Sequence, residues 1–184
     1  MEWAVVLPIV GFLAIATVVA IVLRRAGRIV ARTREVEAFR RSVRDLGERI
    51  EQSLDGAIGR IDALRRHQDG PEAIAETLSA AADAVRRYIE EARALHGPPP
   101  AAAIRDDILQ ELERAGRALE MVEHGAEVLA SARRGNRELE AQTSIKRGYL
   151  NLLHAREAIA RHAARAAELD PGQHRPPATV QRNA

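Results

Sequence analysis

Hydrophobic and polar positions along this chain follow two regimes. From Trp3 to Leu23 no charged side chain occurs, and Arg24 and Arg25 follow at once. At about 1.5 Å of rise per helical residue, that run measures about 30 Å, the thickness of a bilayer's hydrocarbon core. Beyond it, apolar residues recur in steps of three and four, the spacing that gathers them on one stripe of an α-helix. The first regime predicts a transmembrane anchor over residues 1–23. The second predicts amphipathic helices from there to about residue 170.

Two other readings of the N-terminal run fit less well. A cleaved signal peptide needs a basic leader and a short apolar core, whereas Met1-Glu2 is acidic and the run is long. A buried core helix of this length normally keeps a polar face. Pro8 lies near the start, where a missing backbone donor does least harm, and Trp3 suits the interfacial aromatic belt. Arg24, Arg25, Arg28, Arg32 and Arg34 follow the span, with no acid before Glu35. This basic juxtamembrane helix, residues 24–34, predicts a cytoplasmic flank, with the N-terminus outside and the C-terminal domain in the cytoplasm. Each arginine near an anionic headgroup adds about 1 kcal/mol of attraction to the lipid bilayer.

The second regime divides at turn signals. His67-Gln68-Asp69-Gly70-Pro71 and His96-Gly97-Pro98-Pro99-Pro100 interrupt the pattern strongly, and Gly135-Asn136 interrupts it weakly. The resulting helices are expected at about 35–67, 71–96, 101–134 and 137–169. The first carries Val36, Phe39, Val43, Leu46 and Ile50, then Leu54 one stutter later, then Ala57, Ile61 and Leu64. The second carries Ile74, Leu78, Ala81, Val85, Tyr88, Ala92 and Leu95. The third runs from Ile104 through Leu112 and Leu119 to Leu129. The fourth reads Leu139, Gln142, Ile145, Tyr149, Leu152, Leu153, Ile159, Ala163 and Ala166. Residues 171–184 hold Pro176-Pro177 and no apolar period, and read as a disordered tail.

Helices of comparable length joined by short connections must run antiparallel to their neighbours, and four facing stripes then make one core. The fold class expected is all-α: a single transmembrane helix followed by an antiparallel up-down four-helix bundle or coiled-coil-like helical hairpins. Two rivals exist. The first helix could pair between chains while the others form a hairpin, or the third and fourth could continue through Gly135 as one rod. Acid-to-arginine pairs at i,i+4 (Glu37–Arg41, Asp45–Arg49, Asp83–Arg87, Glu113–Arg117, Glu157–Arg161) mark the solvent faces.

Composition narrows the function classes. Lys and Arg total 28 against 26 Asp and Glu, too balanced for a nucleic-acid protein, so no nucleic-acid partner is expected. Aromatics are 3%, few for a base-stacking platform or a typical ligand pocket. The absence of Cys removes disulfides, thiolate zinc sites and cysteine nucleophiles. Six histidines raise the question of metal, but neither Glu120 before His124 nor His154 before Glu157 has the Glu-x-x-His order of carboxylate-bridged bundles. His162 lacks the Lys-Gly pair that follows the histidine of phosphotransfer bundles. No metal, cofactor or catalytic residue is therefore expected. The segment Ile145–His154 is the densest in bulky residues outside the anchor. Tyr149, Leu152 and Leu153 are expected in the core, whereas Leu150 falls off the stripe. Leu150 with Lys146 and Arg147 is the candidate surface for a protein partner or a homo-oligomer. The expected function is a non-enzymatic, single-pass membrane-anchored scaffold, adaptor or accessory subunit of an envelope complex. A signal-transmitting helical module and a tethered domain outside the membrane are the alternatives.

Overall fold

Helix α1 runs unbroken from Trp3 to Arg65, 63 residues. That makes a rod about 95 Å long. The computed structural model describes the backbone of residues 3–131 and 137–170 and the side chains of residues 16–27, 30–131 and 137–170. The expected anchor, juxtamembrane segment and first bundle helix are thus one helix, because no proline or glycine pair interrupts the chain between them. Among the described residues no helix is long and apolar enough to cross a membrane, so the anchor expected over residues 1–23 gains no support from the structure. The side chains of residues 1–15, most of that run, lie outside the described set.

His67 ends α1. It adopts the left-handed conformation, with φ 58°. The Gln68 N–H then donates to the Ala63 carbonyl at 2.9 Å and the His67 N–H to the Leu64 carbonyl at 3.0 Å. This pair of bonds satisfies carbonyls that the last turn leaves open. Gly70, extended, leads into a 3₁₀ turn at Pro71–Ile74, with Pro at its first position where no N–H is missed. Helix α2 continues as Ala75–Arg93. It stops short of the expected residue 96, because Gly97 and Pro98 need room for a link. Helix α3 spans Pro99–Ala130 and α4 spans Glu138–Ala167. The Gly135-Asn136 break and the tail over 171–184 lie outside the described residues.

The four helices pack in a ring. α1 lies beside α2 and α4, α3 beside α2 and α4, and α1 and α3 face each other across the diagonal. Neighbours are antiparallel. On α1 and α2, Ser53 meets Tyr88 while Arg60 reaches the Ala73 carbonyl. On α3 and α4, the Ser144 hydroxyl donates to the Met121 carbonyl at 2.8 Å, and Gly148 faces Ala118. Both rivals fail on this arrangement: α1 joins the intrachain bundle, and α3 and α4 fold back on each other. One end of the bundle holds Val36, the α2–α3 link and the last turn of α4. Residues 16–31 of α1 stand clear of that end with exposed side chains wherever these are described.

Every stripe position on α1 from Val36 to Leu64 is buried. So are the α2 and α3 positions, except that Tyr88, Leu95 and Leu129 are only partly covered. The register of α4 departs from expectation. Leu139 is 75% exposed and Gln142 is exposed, while Ala141, Ile145, Gly148, Leu152, Ala155 and Ile159 form its inner row. Size explains the change. A Cβ on Gly148 would lie 2.6 Å from Val122 Cγ2 and 2.7 Å from the Ala118 carbonyl oxygen, and one on Gly125 would lie 2.6 Å from Ile145 Cγ1. Only the smallest residues fit where α3 and α4 come this close.

One of the expected surface pairs forms, and other charges choose different partners. Glu157–Arg161 forms at 3.9 Å. Glu37 takes Arg40 at 3.3 Å, Asp83 takes Arg86, and Arg49 reaches across to Glu91 on α2. Exposed pairs of this kind contribute at most about 1 kcal/mol each.

Candidate functional site

Three surfaces of the fold carry side chains that can act on something outside it. The first is the free part of α1. Arg24, Arg25 and Arg34 are exposed and Arg32 is half-buried, on the helix that leaves the bundle beside Val36. The side chain of Arg28 lies outside the described residues. One or two turns before these arginines, Val18, Val19, Ile21, Val22 and Leu23 are 49–67% exposed. Burying side chains of this size is worth roughly 1.5–3 kcal/mol each. A helix cannot cover its own apolar side chains all round, and nothing else among the described residues covers this stretch.

The second surface is the outward face of α4 near its start. Lys146 and Arg147 are exposed and Leu150 is 43% exposed, so the structure places all three on the surface. Leu139 joins Leu150 on this face, eleven residues or three turns earlier. A cleft of about 520 Å³ between α3 and α4 runs alongside, lined by His124, Val128, Leu139, Thr143 and Arg147 among others. Tyr149 is drawn inward instead. Its ring packs on the core and lies under the Arg65 guanidinium, 4.4 Å from the ring centre. Leu152 is fully buried and Leu153 partly so.

The third surface is a half-open groove of about 440 Å³ between α1 and α4, near the end from which α1 departs. Gly47, Ile50, Ile159, Ala160, Ala163 and Ala164 line it with apolar surface, and Arg40, Arg41, Arg44 and Arg156 border it with Glu37, Glu48 and Glu51. Arg40 is held by Glu37 and by the Leu169 carbonyl, its Nε buried without an acceptor, and Arg156 is held by Asp55. The apolar pattern of the sequence does not announce this groove. Its signal is the alanine run at 160, 163, 164 and 167, whose small side chains leave space against Gly47.

Two polar clusters serve structure. The Tyr88 hydroxyl lies 2.8 Å from Ser53 Oγ and donates to the Arg49 carbonyl at 3.2 Å, tying α1 to α2. Arg49 lies over the Tyr88 ring, and its bond to Glu91 raises its pKa above an already high value, so it stays charged at any physiological pH. Asp107 accepts from Arg165 at 3.1 Å, with His162 Nδ1 3.4 Å from the same carboxylate, tying α3 to α4. Of the other histidines, His67 is the α1 cap, His96, His124 and His154 are exposed, and His174 lies outside the described residues. Among the described residues no three potential ligands gather to hold a metal ion. Comparisons with protein-family models, with curated proteins and with solved structures return no match.

Proposed function

We propose that the chain is a non-enzymatic, membrane-anchored helical scaffold or adaptor, an accessory subunit of an envelope complex. The observation behind this reading is the exposed apolar stretch Val18–Leu23, on a helix that stands clear of the bundle and is followed at once by Arg24 and Arg25. The uncharged run from Trp3 to Leu23 is long enough to reach through a bilayer core, and the arginines suit the cytoplasmic headgroup layer. In this reading the bundle is held close to the bilayer on the cytoplasmic side, which raises its effective concentration for membrane partners. The test is fractionation followed by labelling. The full chain should stay with membranes in alkaline carbonate, and a cysteine placed in the tail should resist an impermeant thiol reagent in intact cells. A chain that disperses without detergent removes the anchor. A tail cysteine that reacts places the domain outside the membrane, as in the tethered alternative.

The partner surface of this scaffold is the face of α4 that carries Lys146, Arg147 and Leu150 beside the cleft at His124. Leu139 and Leu150 supply apolar contact there and the two basic residues supply selectivity, as in helix-in-groove recognition. Leu150→Glu should lower partner capture or self-association severalfold while leaving helicity and melting unchanged. Equal capture by the variant in a crosslinking pull-down excludes this face.

A second reading, a signal-transmitting module, is favoured by the unbroken run of α1 from Trp3 to Arg65. A rigid helix shared by the anchor and the bundle core passes on rotation. Inserting one alanine after Ala31 turns the preceding helix by about 100° relative to the bundle. A transmitter should change its output on that insertion, whereas a tether should not respond.

A further inference from the structure

The groove between α1 and α4 belongs to neither surface of that scaffold. The geometry points to an anionic amphiphile as its ligand: an aliphatic chain on the groove floor and a carboxylate or phosphate head at Arg41 and Arg44.

Its volume, about 440 Å³, lies within the range of small-molecule sites, about 300–1,000 Å³. Gly47, Ile50, Ile159 and Ala163 bring no polar side-chain atom to the floor, which therefore suits hydrocarbon. A Cβ on Gly47 would lie 3.4 Å from Ala163 Cβ, so the two helices meet here and close the base of the groove.

The cations are not equivalent. Arg40 and Arg156 are engaged by Glu37, the Leu169 carbonyl and Asp55. Arg41 and Arg44 border the groove and make no ion pair among the described residues. Both lie toward the end at Ala167, whereas Ile50 and Ile159 lie toward the other end. Glu48, Glu51 and Arg156 border the end at Ile50 and Ile159, so charge rims the groove along its whole length and the floor alone is apolar. The head is placed by Arg41 and Arg44, with Glu37 beside them taken up by Arg40. A planar guanidinium fork takes a carboxylate or phosphate by two parallel hydrogen bonds. Glu48 and Glu51, beyond Arg44, keep the head at the arginine end by repulsion. The proposal concerns the bundle alone and holds wherever the N-terminal run resides.

The test uses the full chain in zwitterionic phosphatidylcholine nanodiscs, with empty nanodiscs as the baseline. Dansyl-undecanoate should bind saturably at one site, and its uncharged methyl ester should not. Oleate or lysophosphatidate should displace it, and the better competitor identifies a free acid or a lipid phosphate as the source of the head. Inorganic phosphate, which lacks a chain, should not displace it. Arg41→Gln with Arg44→Gln should weaken binding roughly tenfold or more, the loss of charge-assisted hydrogen bonds. Ala164→Trp, at an exposed position on the groove, should abolish binding with helicity and melting unchanged. Equal binding of the methyl ester, or undiminished binding by either variant, overturns the proposal. So does a fall in oligomeric state on Ala164→Trp without amphiphile uptake by the parent chain, which would assign the groove to a second copy.

Discussion

Gly148→Ala is expected to destabilise the bundle by about 1–3 kcal/mol, and Gly125→Ala by a similar amount. In an open helix the same change stabilises by roughly 0.5–1 kcal/mol, because alanine loses less backbone freedom than glycine on folding. The sign reverses here because of what the added methyl meets. At Gly148 it would lie 2.7 Å from the Ala118 carbonyl oxygen, and at Gly125 2.8 Å from the Ala141 carbonyl oxygen. Backbone cannot swing aside as the end of a side chain can, so α3 and α4 must separate along their contact. That separation also opens space around Leu119, Val122 and Leu152, which are fully or almost fully buried between them. Gly56 and Gly59 are the internal controls. Both are exposed on α1, an added methyl would meet nothing within 4 Å, and Gly→Ala there should stabilise. Urea unfolding followed by circular dichroism measures all four. Opposite shifts of the midpoint are expected, and a common direction would mean that the α3–α4 contact is looser than the structure has it.

The same glycines mark where hydrophobicity stops being a sufficient guide. On α1, α2 and α3 the larger apolar residues recur at helical spacing and fill the core, so Val36 to Leu64 could be read directly from the pattern. On α4 the pattern favours Leu139 and Gln142 near the start, yet Ala141, Gly148 and Ala155 point inward. Those three recur every seven residues, which is itself a stripe. It is faint because alanine and glycine are weakly hydrophobic, and it is selected by volume at a close contact. A pattern ranked by hydrophobicity puts Leu above Ala, and a contact at backbone distance ranks them the other way. The α1–α4 groove is hidden for a related reason: an exposed alanine run reads as helix propensity until a glycine stands opposite it. Ion pairing was legible only as a face. Which acid takes which arginine depends on rotamers and on the neighbouring helix, as Arg49 and Glu91 show.

The bundle end from which α1 departs matters to every functional reading, because the free part of α1 and the groove both meet it. Phe39 is the largest side chain buried there, at 2% exposure, and the α2–α3 link folds over it. A methyl on Gly97 would lie 3.0 Å from Phe39 Cδ2, so the link passes the ring at close contact. Phe39→Ala removes the ring and leaves a cavity that the link can fill only by losing its own geometry. The expected loss is about 3–5 kcal/mol, whereas Phe39→Leu, which retains most of the apolar bulk, should cost less. The damage should also be uneven. Hydrogen exchange is expected to quicken first over residues 36–46 and 94–101, while Ile61, Leu64 and Ile74 at the far end keep their protection until global unfolding. Uniform acceleration along α1 would mean that the helix opens as one unit and that the bundle cannot yield locally where the free helix joins it. Acceleration confined to the near end would make Phe39 the residue that fastens the projecting rod to the core, so that a pull or rotation applied to α1 is felt there before anywhere else in the bundle.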